Sequence, residues 1–462
     1  MPGRARWQIA LSSDAEHARA ELFRWTEEFT GRSIVRSRQT AGGNRMRSWV
    51  VELDGPSGND GELFLRYSPP RPPSVEPYTL AREAEVYRAI DPLGLKAPRL
   101  LAVHPELEAM LTTCVPGSAE LRRLPDDSER RLIVTGFMEQ LARLHARPQP
   151  SLALPAGVVS DSVADHVRAE LATWRAMYDE TGARDGLIET ALAWLDANIP
   201  EVAEPPVLTH GDAGPGNFMF DDGQLSGVID WELAHVGDPM EDLAWFSMRC
   251  VMEPVPDFAQ ALQDYARAAG RPIDTARILY HRVFVSTRVV IIRHRNVTGS
   301  LAPGIISRAL NRRLLVEALA QANRIATVVE TRRSEGPTDA SPLFAHVLEE
   351  LRSVITPRSA DAAVIASAKS IAKIVKYLDA LDRDGAAVER RRQAATAALV
   401  GGNVEPGADA EVAVAEAVSS GRVGFEQALA FFADRASDDA LLAAGASGGI
   451  ARRSYPPLVS LP

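Results

Sequence analysis

Three oxygen-bearing side chains at a fixed spacing are the first candidates for chemistry in this 462-residue chain. Asp212 and Asn217 lie five residues apart on the Gly/Pro-rich stretch HGDAGPGN, and Asp230 follows an apolar run, Leu225–Ile229, that reads as a strand. A carboxylate to align an attacking hydroxyl, and oxygen ligands to hold Mg²⁺ against nucleotide phosphates, are nearly all that phosphoryl transfer asks of a protein. Asp, Asn and Gly also favour turns whatever their function. The joint spacing, with β-like runs on both sides and the downstream Gly237-Asp238-Pro239, carries weight that His-Gly-Asp alone would not. Asp238 reads as a helix cap with Pro239 at the first helical position, and Asp242 as a second scaffold carboxylate. Glu232 is either a support for Asp230 or a surface residue.

These residues need a frame to hold them. Ser13 and Glu16 read as a capping box opening a helix over about 14–29. Strand-like runs follow at Ser33–Arg38, Met46–Leu53, Glu62–Tyr67, Arg99–His104 and Ala109–Val115, with helical spacing over about 78–90 among them. From residue 117 the chain turns helical: Leu132, Ile133, Phe137, Leu141 and Leu144 recur at three- and four-residue spacing. The strand-like interlude Val207–Trp231 interrupts this pattern, which then resumes to residue 329. The expected class is α+β: a small antiparallel sheet lobe (1–116), a larger mostly helical lobe (117–330), a polar linker (331–341), an all-α domain (342–442) and a loosely ordered tail (443–462).

The order H-G-D-x-x-x-x-N and then I-D-W resembles the catalytic loop and metal-binding Asp of protein kinases. It is closer still to the aminoglycoside phosphotransferase and choline kinase family. The resemblance implies ATP and Mg²⁺ as cofactors, Asp212 as catalytic base braced by His210, and Asn217 and Asp230 as metal ligands. It further implies a cation on a sheet strand paired with a helical Glu. The strand GELFLRY offers Arg66 and the next helix Glu83, with Glu85 as an alternative. An Arg at that position resembles the hydroxyacyl-CoA branch, the kinase portion of acyl-CoA dehydrogenase fusion proteins. The phosphate-covering loop would hold Gly42 and Gly43. The hinge would lie at Leu111–Gly117, with backbone of Thr112–Cys114 facing adenine, and His145 would be structural. The segment 342–440 loosely resembles a helical protein that accompanies such kinases.

Nine arginines and one acid, Glu317, fall between Arg277 and Arg324. Such a segment suits an anionic, hydroxylated small molecule, with Arg288, Arg293 and Arg295 as candidate contacts; the same arginines could equally lie along outer helix faces or dock the C-terminal domain. A hydroxyacyl-CoA is the leading acceptor, against an aminoglycoside or choline-like amino alcohol, or a non-catalytic pseudokinase. The net charge of −10 argues against nucleic acid. Two cysteines without metal spacing exclude a disulfide framework or zinc site. No signal peptide or membrane-spanning run stands out, so the expected location is cytoplasmic. The oligomeric state is open, a homo-oligomer included.

Overall fold

A computed structural model describes residues 3–40, 46–55, 61–146, 159–295, 301–326, 329–402 and 408–458. Gly42 and Gly43 lie outside the described residues. Strands β1 (Ile34–Gln39), β2 (Arg47–Leu53), β3 (Glu62–Tyr67), β4 (Leu100–Val103) and β5 (Ala109–Thr113) form one antiparallel sheet in the order β1-β2-β3-β5-β4. Helix α1 (Gly3–Thr30) precedes it and α2 (Leu80–Ile90) sits between β3 and β4. Because α1 begins at Gly3, Ser13 lies within the helix rather than capping it.

Alternation along the strands decides which side chains reach the site. Trp49, Val51 and Leu53 on β2, and Leu63, Leu65 and Tyr67 on β3, are buried in one cluster with Leu22 of α1. Arg66, between Leu65 and Tyr67, therefore faces the opposite side, where α2 lies.

The larger lobe opens with α3 (Asp127–Leu144), α4 (Val163–Asp179) and α5 (Gly186–Ala197). Two small antiparallel pairs follow: β6 (Val207–Thr209) with β9 (His235–Gly237), and β7 (Phe218–Asp221) with β8 (Gln224–Val228). Helices α6 (Pro239–Met252), α7 (Phe258–Ala269), α8 (Thr275–Arg295) and α9 (Leu301–Asn323) complete it.

Beyond the lobe come α10 (Ser341–Glu350), the short α11 (Thr356–Arg358), the 39-residue α12 (Ala362–Val400), α13 (Ala408–Ser419) and α14 (Phe425–Ser447). This region is not set apart by a free linker. Arg332 pairs with Asp434 and Asp438, and Ser334 with Asp384. Val414, Phe431 and Phe432 share one buried cluster with Phe284 and Leu319. The tail expected to be loose is instead packed: α14 runs to Ser447, and Tyr455 is buried with its hydroxyl 2.6 Å from Ser286 Oγ. An aromatic ring with a hydrogen-bonded polar end can fill an interior site that the polar look of the segment conceals. Among the described residues no helix is long and apolar enough to cross a membrane.

Candidate active site

The HGD loop leaves β6 and is anchored from beneath by α6. Asp242 accepts the backbone N–H groups of His210 at 2.7 Å and Gly211 at 2.9 Å. It also pairs with His145 Nε2 at 3.0 Å, while His145 Nδ1 meets the Tyr265 hydroxyl at 2.9 Å. Burial alone would raise the Asp242 carboxyl, but His145 and His210 outweigh it and hold it below its ordinary value. His210 Nδ1 accepts the Asp212 N–H, so its proton sits on Nε2, which donates to the Ile229 carbonyl at 3.0 Å. His210 thereby ties the loop to the backbone just before Asp230. Gly211 has φ +79°, and a Cβ there would come within 2.1 Å of the Leu233 carbonyl oxygen. Only glycine fits between histidine and aspartate at that approach.

The Asp212 carboxylate is held from two sides. Asn217 Nδ2 donates to Oδ2 at 2.9 Å and also to the Asp212 carbonyl. Arg249, three turns into α6, forks onto it: Nε donates to Oδ1 at 2.8 Å and Nη2 to Oδ2. Burial alone would lower the Arg249 guanidinium, but Asp212 outweighs it and raises it. Gly214, at φ +144°, makes room for the arginine, since a Cβ there would sit 2.7 Å from Arg249 Cβ. Sequence reasoning missed Arg249. It stands 37 positions from Asp212, and its only signal was a lone cation on the helical stretch that follows Pro239.

Asp230 ends the run after β8 with φ +67°, a left-handed conformation uncommon outside glycine. The backbone bond from Ile229 N–H to the Asn217 carbonyl, 2.9 Å, brings Asp230 beside Asn217. Across the lobe junction, Arg66 Nη1 donates to both Glu83 oxygens at 2.7 and 2.9 Å. Its Nη2 reaches Asp230 at 3.2 Å and Glu232 at 2.7 Å. The expected pairing of Arg66 with Glu83 rather than Glu85 is what the geometry shows; Glu85 pairs with Arg88 on the surface. Burial alone would lower the Arg66 guanidinium, but Glu83, Asp230 and Glu232 push it higher. Burial likewise pushes the Glu83 carboxyl up to about 7 against the pull of Arg66.

This donor set fits Mg²⁺. Three carboxylates, Glu83, Asp230 and Glu232, surround one guanidinium, so acceptor oxygens outnumber the cation at this point. Asp230 and Glu232 are 37% and 28% exposed, and among the described residues Asn217 bonds through its amide nitrogen and not its side-chain oxygen. A hard cation that takes a few protein oxygens together with phosphate oxygens suits such a set.

Thr112 is buried on β5 in register with Phe64. Cys114 is half-buried just past the strand, and burial pushes its thiol up. The chain then crosses to the larger lobe, with Ser118 and Phe220 exchanging backbone hydrogen bonds at 3.0 Å.

The arginine-rich segment requires correction. Arg288 is 1% exposed, donates to Glu241 at 2.5 Å and stacks on Phe284, so it serves the interior of the lobe and not a cleft wall. Arg295 is taken up by Glu76 and Glu180 at 3.1 and 2.6 Å. Arg277 pairs with Asp238 and Glu204, and Arg312 with Asp185. Arg293 faces a small cavity of about 90 Å³ shared with Asp185, His294, Arg308 and Arg312. Among the described residues none of Arg288, Arg293 and Arg295 bonds to Asp212, Asn217 or Asp230. The partners come from elsewhere in the sequence, which a local charge count does not register.

Residues 38–278 match the model of a family described as phosphotransferase enzyme family. Human (Homo sapiens) acyl-CoA dehydrogenase family member 11 is 26% identical over 195 residues, covering 40% of this chain and 25% of that protein. The Gallus gallus protein of the same name is 28% identical over 221 residues, covering 45% and 28%. Member 10 from Mus musculus is 25% identical over 198 residues, covering 40% and 18%. The chain thus spans about a quarter of the length of the curated relatives it matches. Among solved structures, a thermostable mutant of aminoglycoside phosphotransferase APH(4)-Ia in ternary complex with ADP and hygromycin B aligns with a TM-score of 0.48 at 18% identity, covering 66% of this chain and 99% of that one. A structure of a putative fructosamine-3-kinase from Thermobifida fusca gives 0.46 at 21%, covering 66% and 98%.

Proposed function

The chain belongs to the phosphotransferase enzyme family, and we propose that it transfers the γ-phosphoryl group of ATP to a hydroxyl of a small anionic metabolite, a hydroxyacyl-CoA being the leading acceptor. The observation that carries this reading is the meeting, at one lobe junction, of Asp212 held by Asn217 with Asp230 held by Arg66. Asp212 would align the acceptor hydroxyl and take its proton as the phosphorus–oxygen bond forms. Asn217 and Asp230 would hold Mg²⁺, which neutralises phosphate charge when bound. Arg66, fixed by Glu83, would contact the nucleotide phosphates, and the chain near Thr112–Cys114 would border the adenine. Gly42 and Gly43 would cover the phosphates, and His210 would keep Asp212 and Asp230 in fixed relation.

The names of the relatives, acyl-CoA dehydrogenase family members 10 and 11, support an acceptor linked to coenzyme A. A cytoplasmic location, where ATP and CoA thioesters meet, fits this reading, and the oligomeric state is left to measurement. ATP consumption with Mg²⁺ tests it against a panel of hydroxy acids, their CoA thioesters, aminoglycosides and choline. Turnover is expected with the hydroxyacyl compounds. Preference for aminoglycosides or choline would move the acceptor class, and nucleotide binding without any turnover would make the protein a pseudokinase.

A further inference from the structure

One cavity gathers cations that the phosphotransfer chemistry does not use. Arg293 and His294 from the last turn of α8, Arg308, Asn311 and Arg312 from α9, and Asp185 before α5 line the cavity of about 90 Å³. The acids around it are already engaged. Asp185 caps α5: its Oδ1 accepts the N–H groups of Leu187 at 3.0 Å and Ile188 at 3.3 Å, and its Oδ2 accepts Arg312 Nη1. Glu411 and Asp439, which approach Arg312 from α13 and α14, pair with Arg435 and Arg392. Among the described residues the side chains of Arg293 and Arg308 have neither an ion pair nor a hydrogen bond.

Cations near a helix end can simply face water; Asn311 cannot. It is buried, 7% exposed, and lines the cavity, yet its amide has no hydrogen-bond partner among the described residues. A buried amide left unpaired is costly, and the cost is relieved when a polar group occupies the space it faces. The cavity is buried at Val290 and Asn311, half-buried at Arg312 and exposed at Arg293 and Arg308, so it opens to solvent on its cationic side. Its volume is that of about three waters at ~30 Å³ each, too little for a nucleotide and enough for one compact oxyanion. Three guanidinium groups and an amide offer more donors than a carboxylate can use, and guanidinium forks match the oxygens of phosphate.

We propose that this cavity binds one phosphate group, as inorganic phosphate or as the terminal group of a phosphate monoester, with Arg293, Arg308 and Arg312 as its charged contacts and Asn311 at its base. The site goes beyond the phosphotransfer reading and does not depend on it. None of its residues bonds to Asp212, Asn217 or Asp230 among the described residues. The bound group ties α8 to α9 and relieves the repulsion among their arginines, so it stabilises the folded chain by binding only that state.

The test titrates the full chain with sodium phosphate and, separately, with glycerol 3-phosphate, in a calorimeter at fixed ionic strength. Mg²⁺ and AMP-PNP are present throughout, so that the nucleotide site is filled. One saturable site per chain is expected, and phosphate should raise the melting temperature. Arg293→Gln and Arg308→Gln change exposed side chains, so both should fold, and each should weaken binding about tenfold, as loss of a charge-assisted contact does. Asn311→Leu should weaken it too, and Arg66→Gln should leave it within about twofold. A monoester bound more tightly than phosphate assigns the ligand to a phosphorylated metabolite, the reverse order to the free ion; either supports the site. Absence of saturable binding, which would mean that water alone fills the cavity, overturns the inference. So does binding that the Arg293 and Arg308 variants leave unchanged, or that Arg66→Gln removes. All of these results leave the kinase reading intact, and loss of that reading would leave the phosphate titration unaffected.

Discussion

Asp212 and Asp230 are tied to the same asparagine, Asp212 through its carboxylate and Asp230 through the preceding Ile229 N–H, yet their surroundings give them different work. Asp212 has both oxygens in a fixed frame of Asn217 and Arg249; Asp230 is strained, more exposed and next to the cation of the other lobe. Asp212→Ala is expected to cut kcat by roughly 10²–10⁴, the usual worth of a positioned base, while ATP binding stays near wild type. Asp230→Ala should abolish turnover and also weaken Mg·ATP binding; titration calorimetry separates the two. Arg66→Ala should raise KM for ATP, and Arg66→Lys should restore part of it, because charge returns without the fork to Glu83. Gly214→Ala makes a more specific demand. Its methyl would press on Arg249 Cβ, so kcat should fall with ATP affinity unchanged, and a crystal structure should show the Asp212–Arg249 fork displaced.

Helix α6 is the element on which the loop depends. Asp238 caps it by accepting the Met240 N–H at 2.8 Å, Asp242 in its first turn holds the HGD backbone, and Arg249 near its end holds Asp212. Its start is buried among charges: Asp238 with Arg277 and His281, Glu241 with Arg288 and His235. Burial alone would raise the Asp238 carboxyl, but His281 and Arg277 hold it down at about 2, against an ordinary 3.8. Because the folded value is depressed, its contribution of about 2 kcal/mol is fully present above pH ~4 and is lost as pH falls toward 2. Urea unfolding from about pH 6 to about pH 3 should show that loss, and Asp238→Asn should remove this part of the pH dependence. The same variant should also lower stability at neutral pH, because buried Arg277 loses the nearer of its two carboxylates and keeps only Glu204. A pH dependence equal to wild type would exclude Asp238 as its source.

The molecule behaves as more than a two-lobed unit with a helical appendage. Arg453 donates to the Met252 carbonyl at the end of α6, and Tyr455 lies over Arg282 with its ring 4.7 Å away. Burial lowers the Arg282 guanidinium to about 10, and Ser247, Gln321 and the Pro456 carbonyl take its protons. The C-terminal strap thus closes over the back of the helix that positions the catalytic loop. Tyr455→Ala is expected to destabilise the protein by about 3–5 kcal/mol, as aromatic truncations in packed interiors do. Unfolding followed by tryptophan fluorescence and by far-ultraviolet dichroism should show coincident transitions in wild type. A separate early transition for the C-terminal helices would contradict the continuous core.

What the sequence by itself determined is local. Asp212, Asn217 and Asp230 were legible because loop chemistry and short spacing constrain them within twenty residues, and the strand period alone turned Arg66 away from Leu65 and Tyr67. Asp238 and Asp242 were legible as scaffold because helix caps obey residue-level rules. Charge pairing between distant segments was decided only by tertiary structure. Arg277, Arg288 and Arg295 looked like a free cationic wall because their acids, Asp238, Glu241, Glu76 and Glu180, come from other elements. Arg249 looked like nothing because its partner lies across a packed interface rather than one helical turn away. The tail looked loose because Gly, Ser and Pro dominate it, yet one tyrosine reaching Ser286 and Arg282 gave it a place. Spacing reports on the backbone within an element; which charge meets which is set by the packing of elements.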